Sequence, residues 1–305
     1  MSPAVVLSNL VKVFEEERSV IAVDHVSFEV QRGEIFSLVG PDGAGKTTMI
    51  RMMCGVLPPT DGAITLLGLD IRKDKDEIKK HIGYLSQKFS LYGDLTIDEN
   101  IDFFAEIHKV QNYRRRKEEL LQFTRLTSFR DRLAARLSGG MKQKLALACT
   151  LVHTPDIIFL DEPTTGVDPV SRRDFWKILS SLLKSGMTIV VTTPYLDEAE
   201  RSTRVALLNE GRLLKCDTPE TVKRSFTSDV FEIVCENVRE VKEKIKNTID
   251  ERNIQLFGDR IHLLQPKGNA TQKDILELLE KQKIGFVSVR EIPASLEDVF
   301  VSAMG

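Results

Sequence analysis

Over the first fifty positions, short apolar stretches alternate with polar ones. Residues 4–7, 21–23 and 26–30 each read as a β-strand, and residues 34–39 read as a fourth that runs straight into a Gly-rich loop. Past the loop, Met49, Ile50, Met52 and Met53 suit a helix packed on a sheet. Pro58, Pro59, Asp61 and Gly62 then break the chain before a strand at 63–67. From Ser90 to about Arg136 the pattern changes. Ile97, Ile101, Phe104 and Ile107 recur every three or four residues and predict a helical insertion. Strands return at 157–160, 188–192 and 204–208, with helices around 170–184 and 197–201. This alternation predicts a largely parallel sheet.

The composition shifts near Ser225. A strand at 230–235 precedes a helix carrying Val238, Val241, Ile245 and Ile249 on one face, and a hairpin then turns at Gly258 and Asp259. A helix capped by Thr271 and a strand at 286–289 complete the order β-α-β-β-α-β, the ferredoxin-like arrangement. This region has no Gly-rich loop and no clustered acid and base, so a regulatory or dimer-contact role is expected of it. A chain of 305 residues accommodates two cores. The expected division is residues 1–225, with a helical subdomain at about 90–150, and residues 226–305.

The net charge of -2 lacks the basic excess of a nucleic-acid binder, so no nucleic-acid partner is expected. Cys54, Cys149, Cys216 and Cys235 stand singly without metal-ligand spacing and read as reduced core thiols of a cytosolic protein. No apolar run approaches the roughly 20 residues that span a bilayer, so membrane contact is expected through a partner. The basic run Arg114, Arg115, Arg116 and Lys117 reads as a solvated turn or helix face.

Three segments carry phosphate chemistry. Gly40, Pro41, Asp42, Gly43, Ala44, Gly45, Lys46 and Thr47 match the eight-residue P-loop pattern, with Thr48 next, placed between a strand and a helix. Glycines let backbone N–H groups turn inward as an anion nest. Lys46 supplies a point charge to the outer phosphates, and Thr47 offers a hydroxyl to Mg2+. Later, an apolar strand ends in Asp161 and Glu162. Between them lies Leu137-Ser138-Gly139-Gly140-Met141-Lys142-Gln143, a serine and glycines at a helix start, which form a second anion site.

This last segment resembles the signature of the ABC family of ATPases, and the acid pair resembles a Walker B motif. The resemblance implies an α/β P-loop NTPase fold of ABC type, with ATP and Mg2+ bound between two ATPase domains and power delivered to transmembrane permease subunits. Asp161 would then orient Mg2+ and Glu162 would polarise the attacking water. Ser138, Gly139 and Gly140 would face the nucleotide of the opposite subunit. Phe14 resembles the aromatic that stacks on adenine, and Gln87 resembles the Q-loop glutamine that senses Mg2+ and the permease. Gly166-Val167-Asp168 resembles the D-loop crossing the dimer interface. The family pattern has histidine at position 194, where this chain has Pro194, which implies slowed hydrolysis. The tail Ala294-Ser295-Leu296-Glu297-Asp298-Val299-Phe300 looks like that of ABC-2 type exporters, which implies export from the cytoplasmic face of the membrane.

Overall fold

The computed structural model describes residues 2–15, 19–88 and 91–304. Ser90, where the helical insertion is expected to begin, lies outside them. The chain forms two compact units that divide between Cys216 and Asp217.

The described residues of the first unit form ten strands in two sheets: β1 (Val5–Glu15), β2 (Ser19–Val30), β3 (Ile35–Val39), β4 (Asp61–Leu66), β5 (Leu69–Asp70), β6 (Ile82–Leu85), β7 (Ile157–Asp161), β8 (Thr188–Thr193), β9 (Arg204–Asn209) and β10 (Arg212–Asp217). One sheet has the order β2-β1-β4-β5 and is antiparallel. The other has the order β10-β9-β3-β8-β7-β6 and is parallel from β9 to β6. The separate strands expected before residue 31 are two long ones. Register shifts between Leu7 and Val13, with Asn9 and His25 at positive φ, interrupt the apolar alternation without ending the ladder.

The parallel sheet is buried on both faces, and the period of two sorts its side chains. Ile157, Phe159 and Val190 pack with Met49 and Met52 of the helix Lys46–Met53 and with the antiparallel sheet. Ile158, Leu160, Ile189 and Val191 pack with the helices Ile97–Ile107, Gly139–Leu151 and Pro169–Lys184. The expected helix at 197–201 is one turn, Leu196–Ala199.

The basic run opens the helix Arg114–Phe123; Arg114 and Arg115 are exposed, as expected, and Lys117 is the member less solvated than expected. Lys117, with its side chain 11% exposed, pairs with Asp98 and Asp102, while Arg130 joins Asp98 to Glu118.

In the second unit, β11 (Ser228–Val234), β12 (Ile254–Phe257), β13 (Arg260–Pro266) and β14 (Ser288–Ile292) form an antiparallel sheet of order β12-β13-β11-β14. The helices Val238–Ile245 and Gln272–Lys281 supply Val241, Ile245, Ile275 and Leu279 to a core with Phe231, Ile233, Ile261 and Leu263. Thr271 caps the second helix in a reciprocal capping box with Asp274. The last strand starts two residues later than expected: Phe286 packs on the core from outside it, and Val287 is 71% exposed. Among the described residues no helix is long and apolar enough to cross a membrane.

Candidate functional site

β3 delivers the chain to the loop that begins at Gly40. At Gly45 the backbone has φ +91°, and a Cβ there would lie 2.4 Å from the carbonyl oxygen of Ala22 on β2. Only glycine fits both conditions. The helix Lys46–Met53 follows at once with no acidic residue in its first turn, so its positive end meets the loop uncompensated. Lys46 Nζ donates to the carbonyl oxygens of Gly40 and Pro41 at 2.7 and 2.9 Å. Asp42 and Gly43 form the exposed tip of the loop, Ala44 is buried, and Thr47 and Thr48 are half-buried.

The acid pair lies beside this loop. Thr47 Oγ1 donates to Asp161 Oδ1 at 3.0 Å, and Thr192 Oγ1 donates to the same oxygen at 2.8 Å. Asp161 Oδ2 is buried and has no hydrogen-bond partner among the described residues. Burial pushes the Asp161 carboxyl above its ordinary value and the nearby charge of Glu162 adds to this, while the two hydroxyls pull it back. Mg2+ is a hard cation that takes oxygen ligands. The Thr47 hydroxyl and the unpartnered Asp161 oxygen fit that chemistry.

Glu162 leaves the strand with φ +48°, and its carboxylate turns toward Lys46, whose Nζ is 3.4 Å from Oε1. Gln87 Nε2 donates to Glu162 Oε2 at 3.0 Å, and Thr165 Oγ1 donates to the same oxygen at 3.3 Å. Lys46 and Gln87, from two separate segments, and Thr165, from the turn that Glu162 itself opens, therefore meet around the Glu162 carboxylate.

Ser138 caps the helix Gly139–Leu151 by accepting from the N–H of Met141. Gly140 sits where a Cβ would lie 2.4 and 2.5 Å from Ser171 Oγ and Cβ, so the signature helix and the helix Pro169–Lys184 approach at contact distance. A cleft of about 390 Å³ is lined by Gln87, Gly139, Gln143, Thr165, Gly166 and Val167. Among the described residues no hydrogen bond joins Ser138, Gly139 or Gly140 to the P-loop.

Asp168 serves as a helix cap, accepting from the N–H groups of Val170 and Ser171 at 3.1 and 3.0 Å. Phe14 is half-buried near the end of β1 opposite Val20, with Lys12 Nζ 5.1 Å from its ring centroid. β2 then passes Gly45 at Ala22, which places Phe14 on the strand pair that borders the P-loop.

Sequence reasoning missed Thr192, Thr164, Glu198 and Arg172. Thr192 holds both acids, since its Oγ1 also accepts from the main-chain N–H of Glu162 at 2.8 Å. Its signal is a hydroxyl at the C-terminal end of a buried parallel strand. Pro194 follows that strand half-buried in a trans peptide.

Residues 23–165 match the family model described as ABC transporter, and residues 218–304 match the C-terminal domain of DrrA1-3-like ATP-binding proteins. The chain is 45% identical over 241 residues to a probable multidrug ABC transporter ATP-binding protein, YbhF of Escherichia coli. That match covers 78% of this chain and only 39% of YbhF. It is 35% identical over 291 residues to the Nod factor export ATP-binding protein I of Burkholderia thailandensis, covering 93% of this chain and 92% of that one. It is 38% identical over 236 residues to the daunorubicin/doxorubicin resistance ATP-binding protein DrrA of Streptomyces peucetius, covering 75% and 70%. Among solved structures, the dimeric post-hydrolysis state of the ATP-binding cassette MJ0796 bound to ADP and Pi aligns with TM-score 0.64 at 29% identity. It covers 70% of this chain and 98% of that one. With a P-loop, an acid pair and a signature helix arranged as described, and with the Nod factor export ATP-binding protein I matched along 92% of its length, the chain belongs to the family of ABC transporter ATP-binding proteins.

Proposed function

We propose that this chain binds ATP with Mg2+ and hydrolyses it as one of two ATPase domains closed around nucleotide. The work drives export of a hydrophobic or drug-like substrate through transmembrane permease subunits, from the cytoplasmic face of the membrane. The observation that carries the reading is the junction of Thr47, Asp161, Glu162 and Gln87, where an unpartnered carboxylate oxygen and an oriented carboxylate lie beside a P-loop lysine.

Each residue has a role that follows from its position. The loop N–H groups and the helix end bind the phosphates, and Lys46 adds its charge. Thr47 and Asp161 would hold Mg2+, which when bound neutralises charge on the outer phosphates. Glu162 orients and polarises a water as general base, with Gln87 and Thr165 fixing its Oε2. Phe14 offers its ring face to adenine. Ser138, Gly139 and Gly140 form an anion site displaced from this chain's own P-loop, which supports their use on the nucleotide of a second domain, with Asp168 ordering the segment between. The relatives named for drug and Nod factor export support the export direction.

Pro194 has no side-chain donor or acceptor next to the acid pair. Loss of one preorganised donor costs on the order of a hundredfold to a thousandfold in rate, so hydrolysis here is slow unless a second domain completes it. Turnover of the purified chain is expected to rise in Pro194→His, and equal turnover in both would sink the slow-site reading. Copurification with a multi-spanning membrane protein tests the transport assignment. Recovery of the chain without one, from gently solubilised membranes, would count against it.

A further inference from the structure

The backbone of Glu162 lies in the left-handed region, φ +48°, which a non-glycine residue holds only when its surroundings over-determine it. Part of that support is a tight turn closed by the N–H of Thr165 donating to the carbonyl of Glu162 at 3.2 Å. Thr164 lies inside the turn, and its hydroxyl is within 2.8 and 2.9 Å of the two carboxylate oxygens of Glu198.

Glu198 is 2% exposed. Thr193 Oγ1 donates to its Oε2 at 2.8 Å and Arg172 Nε to its Oε1 at 2.9 Å. Arg172 also lies 4.1 Å over the ring of Tyr195. One buried carboxylate is therefore the shared acceptor for three segments: the turn after the acid pair, the end of β8 beside Pro194, and the first turn of the helix Pro169–Lys184. A buried carboxylate is costly unless donors satisfy it, and these donors do so only while the three segments keep their places. Among the described residues Glu198 makes no hydrogen bond to Glu162, Lys46 or Gln87, so any effect on the acid pair passes through its partners: the Thr164 turn, or Thr193 next to Thr192 at the end of β8.

We propose that Glu198 is a positioning residue for hydrolysis, holding the Thr164 turn so that Glu162 keeps its left-handed backbone and faces the nucleotide. This rests on the hydrolytic role of Glu162 proposed above. The test measures kcat, KM and the affinity for a fluorescent ATP analogue in the full chain and in Glu198→Gln, Thr164→Val, their double variant and Thr164→Ser. Glu198→Gln and Thr164→Val are each expected to lower kcat about tenfold with nucleotide affinity within about twofold. The double variant should be no worse than the poorer single one, because the two residues act as a unit. Thr164→Ser, which keeps the hydroxyl, should restore kcat. If Glu198→Gln does not fold, the contrast between Thr164→Val and Thr164→Ser decides. Unchanged kcat, independent additive losses, or losses of kcat matched by equal losses of affinity and melting temperature overturn the inference while leaving the hydrolytic reading intact. A wild-type chain with no turnover in any assembly overturns both.

Discussion

The side-chain amide of Gln87 donates to Glu162 Oε2 at 3.0 Å, joining residues 75 positions apart in sequence. Gln87 follows the edge strand β6, and Glu162 follows its parallel neighbour β7. The two strands therefore bring Gln87 and the proposed base to the same end of the sheet. Replacing Gln87 with Ala removes one of the two donors on that oxygen. Turnover is expected to fall on the order of tenfold to a hundredfold while ATP affinity changes little, as steady-state kinetics and equilibrium binding would show.

The contact between the helices Gly139–Leu151 and Pro169–Lys184 sets a second expectation. Gly140→Ala places a methyl group within 2.5 Å of Ser171, so one helix must move. A drop in melting temperature and in turnover is expected. Adding Ser171→Gly removes the opposing Cβ and should recover most of both. Failure of the double variant to recover would mean that Gly140 is needed for something other than this approach.

Much of this arrangement was legible beforehand because it is local. The Gly-rich loop, Asp161 and Glu162, and the Ser138 cap each occupy a few consecutive residues whose chemistry can be read without tertiary contacts. The parallel sheet and the C-terminal β-α-β-β-α-β order follow from apolar periodicity. Less legible was anything that depends on which strand ends meet. Thr192 and Glu198 look like ordinary residues until β7 and β8 are set side by side. Asn9 and His25 broke the apparent strands because a bulge disturbs alternation while leaving pairing in place. Lys117 read as solvated because its acidic partners lie on another helix.

His108 and His153 stack with ring centroids 4.0 Å apart and an interplanar angle of 8°. Desolvation beside the stacked His153 ring pushes the partly exposed His108 down to about 4, with the His153 charge adding, and burial lowers His153. Both are thus harder to protonate in the folded chain than at the ordinary value of 6.5. Below about 6.5 the unfolded chain binds protons that the folded chain does not. Stability should therefore fall as pH drops from 6.5 toward 4 and be insensitive to these groups above 7. Thermal melts across this range should show the decline, and His108→Phe should flatten it.

In the second unit, His262 Nδ1 lies 2.6 Å from Asp298 Oδ1, and Asp298 Oδ2 accepts from the N–H and hydroxyl of Ser295. The tail segment 294–300 is thereby pinned to β13 through a fully buried carboxylate. These bonds hold the Asp298 carboxyl below its ordinary value against the effect of burial. Asp298→Ala leaves buried polar groups without partners, at a cost of about 1–3 kcal/mol, and chemical denaturation should report a loss of that size. A change within about 0.5 kcal/mol would show that the tail is held by its apolar side chains alone.

The account turns on whether Glu162 performs hydrolysis at a site that already binds nucleotide. The direct measurement compares Mg2+-ATP binding and turnover by the wild-type chain and by Glu162→Gln, assayed in whatever assembly the wild type is active. Wild type is expected to bind and hydrolyse ATP, while Glu162→Gln should bind it at least as tightly and turn over about a hundredfold or more slowly. Equal turnover in the two proteins, or loss of ATP binding on this substitution, would contradict it.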